Sequence, residues 1–303
     1  MKSLAELAAL RNKAEASELP CDTVLIYGDG GTGKTEYTAT LAESDMYEHI
    51  YWFDVTNGSE TIIRMAAEGR LSAKAAAKII LIKIIDTPLQ HYAYETISKI
   101  YTTNRDWQIC EAHGRCDCKD CIKDKITDGW LTFNLFKLGK KDVVVLDDAS
   151  QLSDSILSFF CKGQGLGYKP GFNEYGPMSR ILTDILSVVQ AGTTNHIWIA
   201  RLLVEDDNEQ VNVDDKSPQK LEKMYPWVGS KTYAPTVPNR FGTKIFLKKK
   251  LGKHMGMSGS TSTMEGVVGS RIGLKVEEDI GLQSLAYYLE KAKFGKTNIA
   301  LKK

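Results

Sequence analysis

The segment Gly28-Asp29-Gly30-Gly31-Thr32-Gly33-Lys34-Thr35 fits the pattern G-x4-G-K-S/T, and its flanks supply the setting that pattern needs. Ahead of it, Thr23-Val24-Leu25-Ile26-Tyr27 is a short β-prone apolar run; behind it, Glu36 to Glu43 has helical spacing. Strand, Gly-rich turn and helix in this order make a phosphate cradle. The glycines let successive N–H groups point inward, and the helix N-terminus adds positive partial charge. Lys34 then reaches the β- and γ-phosphates, and Thr35 places its hydroxyl on Mg²⁺. A turn that binds nothing has no need of a lysine and a threonine in register with four glycines. The chain is therefore expected to bind a nucleotide.

A second landmark, Val143-Val144-Val145-Leu146-Asp147-Asp148, runs four apolar residues into an acidic pair. That is the pattern of a parallel strand buried on both faces whose C-terminal end carries function. Further strands are expected at Ile50–Asp54, Ile79–Ile85, His196–Arg201 and Lys244–Leu247. Helices are expected at Ser59–Ala67, Ala73–Ala77, His91–Tyr101, Ser153–Phe160, Pro177–Gln190 and Gln283–Lys293. Alternating strands and helices predict an α/β fold, a mostly parallel sheet sandwiched by helices. Residues 1–18 read as a charged, alanine-rich helix and 19–303 as one domain. Two additions stand out within it: a cysteine-rich insertion over 106–135 and a Gly/Ser-rich mobile loop over 254–270. The acidic stretch Glu205–Asp215 suits a hairpin tip.

Asp147 is the carboxylate expected to hold Mg²⁺ through water, opposite Thr35. The alternative is helix capping, for which Ser153 is better placed. Lysine and metal spread the charge on the γ-phosphate, and another group must orient water for in-line attack. Asp148 and Glu60 both stay open for that role. Arg201 ends a strand expected beside the P-loop strand, where it would sense the γ-phosphate. Arg240 and Arg271 are candidates for completing a neighbouring subunit's site, the alternative being solvated surface roles.

Cys110-x2-His113 and Cys118-x2-Cys121 are two ligand pairs of the kind Zn²⁺ takes, with four residues between them. The set is closed, so it implies a structural staple for a loop too small to have its own core. Cys116 in place of His113 is the alternative fourth ligand. Cys21 and Cys161 stand alone and are expected to be buried small apolar residues. The formal net charge of +1 excludes a global basic field. Nucleic-acid contact would have to come from local tracts, Lys248-Lys249-Lys250 with Lys253 and His254, and Lys291, Lys293 and Lys296. The most apolar stretch, Ala75–Ile85, is broken by Lys78 and Lys83, so no membrane span and a cytoplasmic address are expected.

With these landmarks placed, the chain resembles the phage-encoded RecA-like P-loop ATPases related to single-strand-annealing recombination proteins. The likeness runs through most of the chain. It takes in Gly28–Thr35, the Cys-x2-His and Cys-x2-Cys insertion, Val143–Ser153, Ile197–Arg201, and Ser258–Thr263 leading to Gly269-Ser270-Arg271. The resemblance implies a RecA-like fold with a zinc-knuckle insertion and an ATPase acting on single-stranded DNA in phage recombination or replication. It also implies a ring or filament of identical subunits. Three positions depart from the family pattern. Thr56 stands where a glutamate is usual, Asp147-Asp148 replaces Asp-Ser, and Arg201 replaces histidine or glutamine. Two other functions share the motif: a small-molecule kinase, which needs a lid of clustered arginines, and a nucleotide-switched DNA-binding module. The nine arginines here are spread along the chain and give no such lid.

Overall fold

The structure, a computed structural model, describes residues 20–165, 167–213, 216–257, 264–266, 278–279, 283–294, 297 and 299. The expected helix over 1–18, Arg271 and Lys296 lie outside the described residues. In chain order, β1 (Thr23–Gly28) leads into α1 (Lys34–Ala39), which a 3₁₀ turn extends through Thr40–Glu43. There follow β2 (His49–Asp54), α2 (Glu60–Ala67), α3 (Ala73–Lys78), β3 (Ile79–Lys83) and α4 (Tyr92–Thr102). The cysteine-rich insertion holds β4 (Trp107–Cys110), α5 (Lys119–Lys123) and β5 (Trp130–Phe133). Next come β6 (Asp142–Asp147), α6 (Ala149–Phe160), α7 (Phe172–Ala191) and β7 (Asn195–Ala200). β8 (Leu202–Val213) and β9 (Lys216–Pro226) pair antiparallel; the acidic stretch expected as a hairpin tip is strand as far as Val213, and 214–215 lie outside the described residues. β10 (Thr243–Lys250), β11 (Lys253–Met257), β12 (Met264–Gly266), β13 (Glu278–Asp279) and α8 (Leu285–Phe294) complete the described elements.

One sheet takes eight strands in the order β13-β11-β10-β1-β7-β6-β2-β3. From β10 to β3 all neighbours are parallel, while β11 and β13 join antiparallel at one edge. Strand alternation gives each face its own core. Leu25 and Tyr27 turn toward α4, α6 and α7, packing with Ile97, Ile156 and Leu182. Val24 and Ile26 turn toward α1, α2 and α8, packing with Tyr37, Ile62 and Leu285. Full burial of such side chains contributes about 1.5–3 kcal/mol each, which is why the central strands read as unbroken apolar runs. The α/β, mostly parallel architecture expected from the sequence is the one observed. All six parallel strands run their carboxyl ends to one edge of the sheet, where β1, β2, β6 and β7 deliver the site residues.

Several local expectations need correction. The helix after the acidic pair starts at Ala149, not Ser153, because Asp148 is its N-cap and accepts from Gln151 N–H at 2.6 Å. Ser153 instead back-bonds to the Ala149 carbonyl. α7 begins at Phe172, ahead of Pro177, because Glu174 reaches back to accept from Gly171 N–H at 2.7 Å and sets the helix start. The loop expected over 254–270 is partly strand. Leu251 and Gly252 both take positive φ, 49° and 80°, and this two-residue turn folds β11 back on β10. Met264–Gly266 pairs with β9, and 258–263 and 267–270 lie outside the described residues. Cys21 and Cys161 are part-exposed rather than buried, since one precedes the sheet and the other ends α6.

Candidate functional site

The P-loop joins β1 to α1. At Gly28 a Cβ would lie 2.0 Å from the Leu247 carbonyl oxygen, so only glycine lets β10 pass this close. Gly31 and Gly33 have φ of +72° and +84°, the left-handed region that glycine enters without steric cost. Thr32 Oγ1 donates to the Asp29 carbonyl at 2.8 Å and closes the loop from within. Lys34 Nζ curls back to donate to the Gly28 and Asp29 carbonyls, both at 2.7 Å. Burial pulls the Lys34 ammonium below its usual pKa, and the nearby Asp148 and Asp147 charges oppose that shift.

The acidic end of β6 meets this loop although β7 lies between β6 and β1. Thr35 Oγ1 donates to Asp147 Oδ2 at 3.0 Å, so the two residues expected to share Mg²⁺ are in direct contact. Burial pushes the Asp147 carboxyl up to about 7; the Thr35 hydroxyl opposes the shift, and the Asp148 and Asp54 charges add to it. An oxygen-rich, acidic, buried pocket with a hydroxyl at its rim suits a hard divalent cation, which would offset that repulsion. Thr35 and Asp147 would hold it.

Asp148 is buried at 7% exposure, with its pKa raised mainly by that burial. Arg201 Nε lies 3.7 Å from Asp148 Oδ2, its Nη2 donates to Asp154 at 2.6 Å, and its guanidinium packs over Trp227. The strand-end arginine thus pairs with two carboxylates. Glu60 opens α2, but its side chain is 73% exposed and its carboxylate stands 4.0 Å from Lys83 Nζ. The structure brings Lys34, Thr35, Asp147, Asp148 and Arg201 to one edge and turns Glu60 toward solvent. Arg240 donates to Gln190 at the surface. Lys293, read as a candidate nucleic-acid contact, is 8% exposed and pairs with Asp22 at 3.0 Å, so it is a structural ion pair.

Asp54 was noted in the sequence only as the end of a strand. It is fully buried opposite Asp147 in the β2–β6 register and accepts from the N–H groups of Thr56, Gly58 and Ser59. It thereby shapes the loop that walls the Asp147 carboxylate: a Cβ on Gly58 would lie 3.5 Å from Asp147 Oδ2. The signal available was an aspartate followed, after Val55, by Thr56-Asn57-Gly58-Ser59, residues that favour side-chain-to-backbone turns.

In the insertion, Cys110, His113, Cys118 and Cys121 place one ligand atom each within 4.8 Å of all the others. The three sulfurs lie 3.9, 3.5 and 3.3 Å from His113 Nδ1. Tetrahedral Zn–S and Zn–N bonds put sulfur and nitrogen roughly 3.5–3.6 Å apart, and these three distances bracket that value, so the set could hold one zinc ion. Cys116 is not the fourth ligand. It packs into the main core, where burial pushes its thiol up to about 12. Gly114, with φ +61°, lets the Cys-x2-His turn sit against β3, since a Cβ there would lie 2.1 Å from the Lys83 carbonyl oxygen.

No protein-family model and no curated protein matches the chain. Solved structures do resemble it. A prototypical ATPase of the type III secretion system of pathogenic bacteria is similar at 12% identity and TM-score 0.43, over 80% of this chain and 56% of that one. The RadB recombinase is similar at 15% identity and TM-score 0.34, over 78% and 80%. EscN, the assembled type III secretion ATPase of enteropathogenic E. coli, solved with its central stalk EscO, is similar at 11% and 0.42, over 90% and 50%. The chain spans about half the length of these two secretion ATPases. At such identities the likeness concerns fold alone. Among the described residues no helix is long and apolar enough to cross a membrane.

Proposed function

We propose that the chain binds Mg-ATP at Gly28–Thr35 and hydrolyses it. The observation that carries this reading is the 3.0 Å contact between Thr35 and Asp147, made across an intervening strand beside a lysine seated on the P-loop. Loop amides would bind phosphate oxygens, and Lys34 would exchange its two carbonyl partners for β- and γ-phosphate oxygens. Mg²⁺ held by Thr35 and Asp147 would supply charge neutralisation there. Asp148 suits water orientation better than Glu60, because it is buried beside Lys34 and Asp147, and burial raises its affinity for a proton. Arg201, held by Asp148 and Asp154, is within reach of the same edge.

Steady-state turnover with Mg-ATP tests this. Lys34→Ala should lose both affinity and turnover, whereas Asp148→Asn should lower kcat on the order of a hundred-fold with KM kept. A purified chain that neither binds nor turns over Mg-ATP would falsify the reading. The finer role, single-stranded DNA handling in phage recombination or replication by a ring or filament, rests on the sequence resemblance and on exposed Lys249, Lys250 and Lys253. Turnover should then rise with single-stranded DNA, and a flat response would remove that role while leaving the nucleotide site standing. Two observations favour a slow nucleotide switch over a motor: Asp148 already caps α6, and Thr56 stands where the resemblance calls for glutamate.

A further inference from the structure

His254 read in the sequence as the end of a lysine-rich tract. It lies on β11, and the β10–β11 register sets it opposite Lys249. Lys249 is two residues beyond Leu247, so both share a face of β10, and Leu247 belongs to the core on the α1 side. Cross-strand partners share a face, which puts His254 on the P-loop side of the sheet. There His254 Nδ1 is 2.9 Å from the Thr32 carbonyl oxygen. Its ring covers Gly33, where a Cβ would lie 3.1 Å from Nδ1 and 3.5 Å from Cε1. The side chain is directed at the phosphate loop.

We infer that His254 is a positioning residue for the triphosphate, acting through the Thr32–Gly33 peptide; this rests on the nucleotide reading of the P-loop. A carbonyl can only accept, so Nδ1 carries the proton and donates. In a planar trans peptide the C=O and the following N–H point in opposite directions. By holding the Thr32 oxygen toward β11, His254 turns the Gly33 N–H to the other side of the loop, where it can serve a phosphate oxygen. Thr32 Oγ1 ties the same residue to Asp29, so the loop is fixed from inside by its own threonine and from outside by the histidine. The β10–β11 hairpin is on this account part of the nucleotide site. Gly33 is favoured by its φ of +84°, and a Cβ there would also crowd the imidazole at 3.1 Å and oblige the ring to shift.

The test compares wild type with His254→Ala, His254→Asn and Lys34→Ala. Asparagine places an amide nitrogen where Nδ1 sits and restores the donor. Amide exchange of the 28–35 segment in the protein alone reads the lock directly, and Mg-ATP affinity reads its consequence. One hydrogen bond corresponds to roughly a three- to ten-fold effect. His254→Ala should therefore speed exchange and weaken Mg-ATP binding by about that factor, with the melting temperature lowered by no more than a few degrees and His254→Asn recovering most of it. Unchanged exchange in His254→Ala overturns the lock. Faster exchange with unchanged affinity overturns the positioning role. If even wild type fails to bind Mg-ATP, or Lys34→Ala binds as wild type does, the nucleotide reading fails separately and the exchange data still decide the lock.

Discussion

Stripping the metal from the Cys110/His113/Cys118/Cys121 set should open the insertion and leave the sheet intact. The lobe between β4 and β5 has almost no core of its own: its apolar cluster is Cys110, Cys118 and Cys121, with Trp130 packed against it. Its roots are different, because Trp107, Ile109 and Phe133 belong to the main core. Ordering a residue costs roughly 1–2 kcal/mol of backbone entropy, and three thiols cannot offset that across 111–129. A structural zinc site contributes about 10–16 kcal/mol, which can. Loss of even about 4 kcal/mol of local stability speeds amide exchange roughly a thousand-fold. The amides to follow are Gly114, Ile122 and Ile126, which donate to the carbonyls of Cys110, Cys118 and Cys121 at 2.8, 3.0 and 3.0 Å. Exchange measured by mass spectrometry on the full chain, with and without chelator, should show these amides losing protection while β1, β6 and β7 keep theirs. Elemental analysis should find one zinc per chain, retained in Cys116→Ser and lost from His113→Ala. A chain purified without zinc, protection over 111–129 indifferent to metal removal, or the reverse behaviour of these two variants would refute the reasoning.

Burial holds His196 neutral, with its pKa lowered from 6.5 to about 3. The unfolded chain therefore takes a proton below pH 6.5 that the folded chain refuses until about pH 3, so stability falls as pH drops through that window. At pH 5 the loss is about 2 kcal/mol, readable as a lower denaturant midpoint that His196→Phe removes; equal pH slopes in the two proteins would contradict it. Gly28→Ala should cost about 3 kcal/mol by forcing β1 from β10, whereas Gly30→Ala, with open space around its Cβ, should be near neutral; equal melting temperatures would exclude the packing argument. Asp54→Ala leaves the N–H groups of Thr56, Gly58 and Ser59 without their acceptor and should cost about 3 kcal/mol or more, with Asp54→Asn losing less. A wild-type melting curve for Asp54→Ala would show that the loop does not depend on this carboxylate.

The strands were legible wherever burial on both faces left no freedom of composition: Val143–Leu146 and Thr23–Tyr27 lie within a residue or two of their observed bounds. The zinc set was legible to the level of the pairs, but the choice between His113 and Cys116 was not. That choice depends on which side chain the Gly114 turn sends inward and which joins the main core. Helix starts were misplaced where a carboxylate caps from an unexpected position, as Asp148 and Glu174 do. The β10–β11 hairpin was hidden because its turn puts a leucine in the left-handed region, where Asn or Gly would have signalled it. His254 and Lys293 were hidden for a related reason: a run of cations in sequence says nothing about which members the fold turns inward.

The electrostatics of the site argue for cooperation between its two halves. Asp54, Asp147 and Asp148 bring three buried carboxylates to the ends of β2 and β6. Asp54 is stabilised by three backbone N–H groups and Asp148 by Gln151 N–H and Arg201, so each has a fixed donor set. Asp147 accepts from the Thr35 hydroxyl at 3.0 Å and Trp52 also favours its charged form, yet burial and the Asp148 and Asp54 charges push its proton affinity up. It is the carboxylate with the most to gain from a cation. Lys34, the cation of the loop, is instead occupied by two carbonyls at 2.7 Å. A triphosphate competes well for that lysine only if its own charge is partly neutralised, and a divalent ion competes well for Asp147 only if further oxygens complete its shell. Each ligand supplies what the other lacks, so nucleotide and metal should bind as one complex.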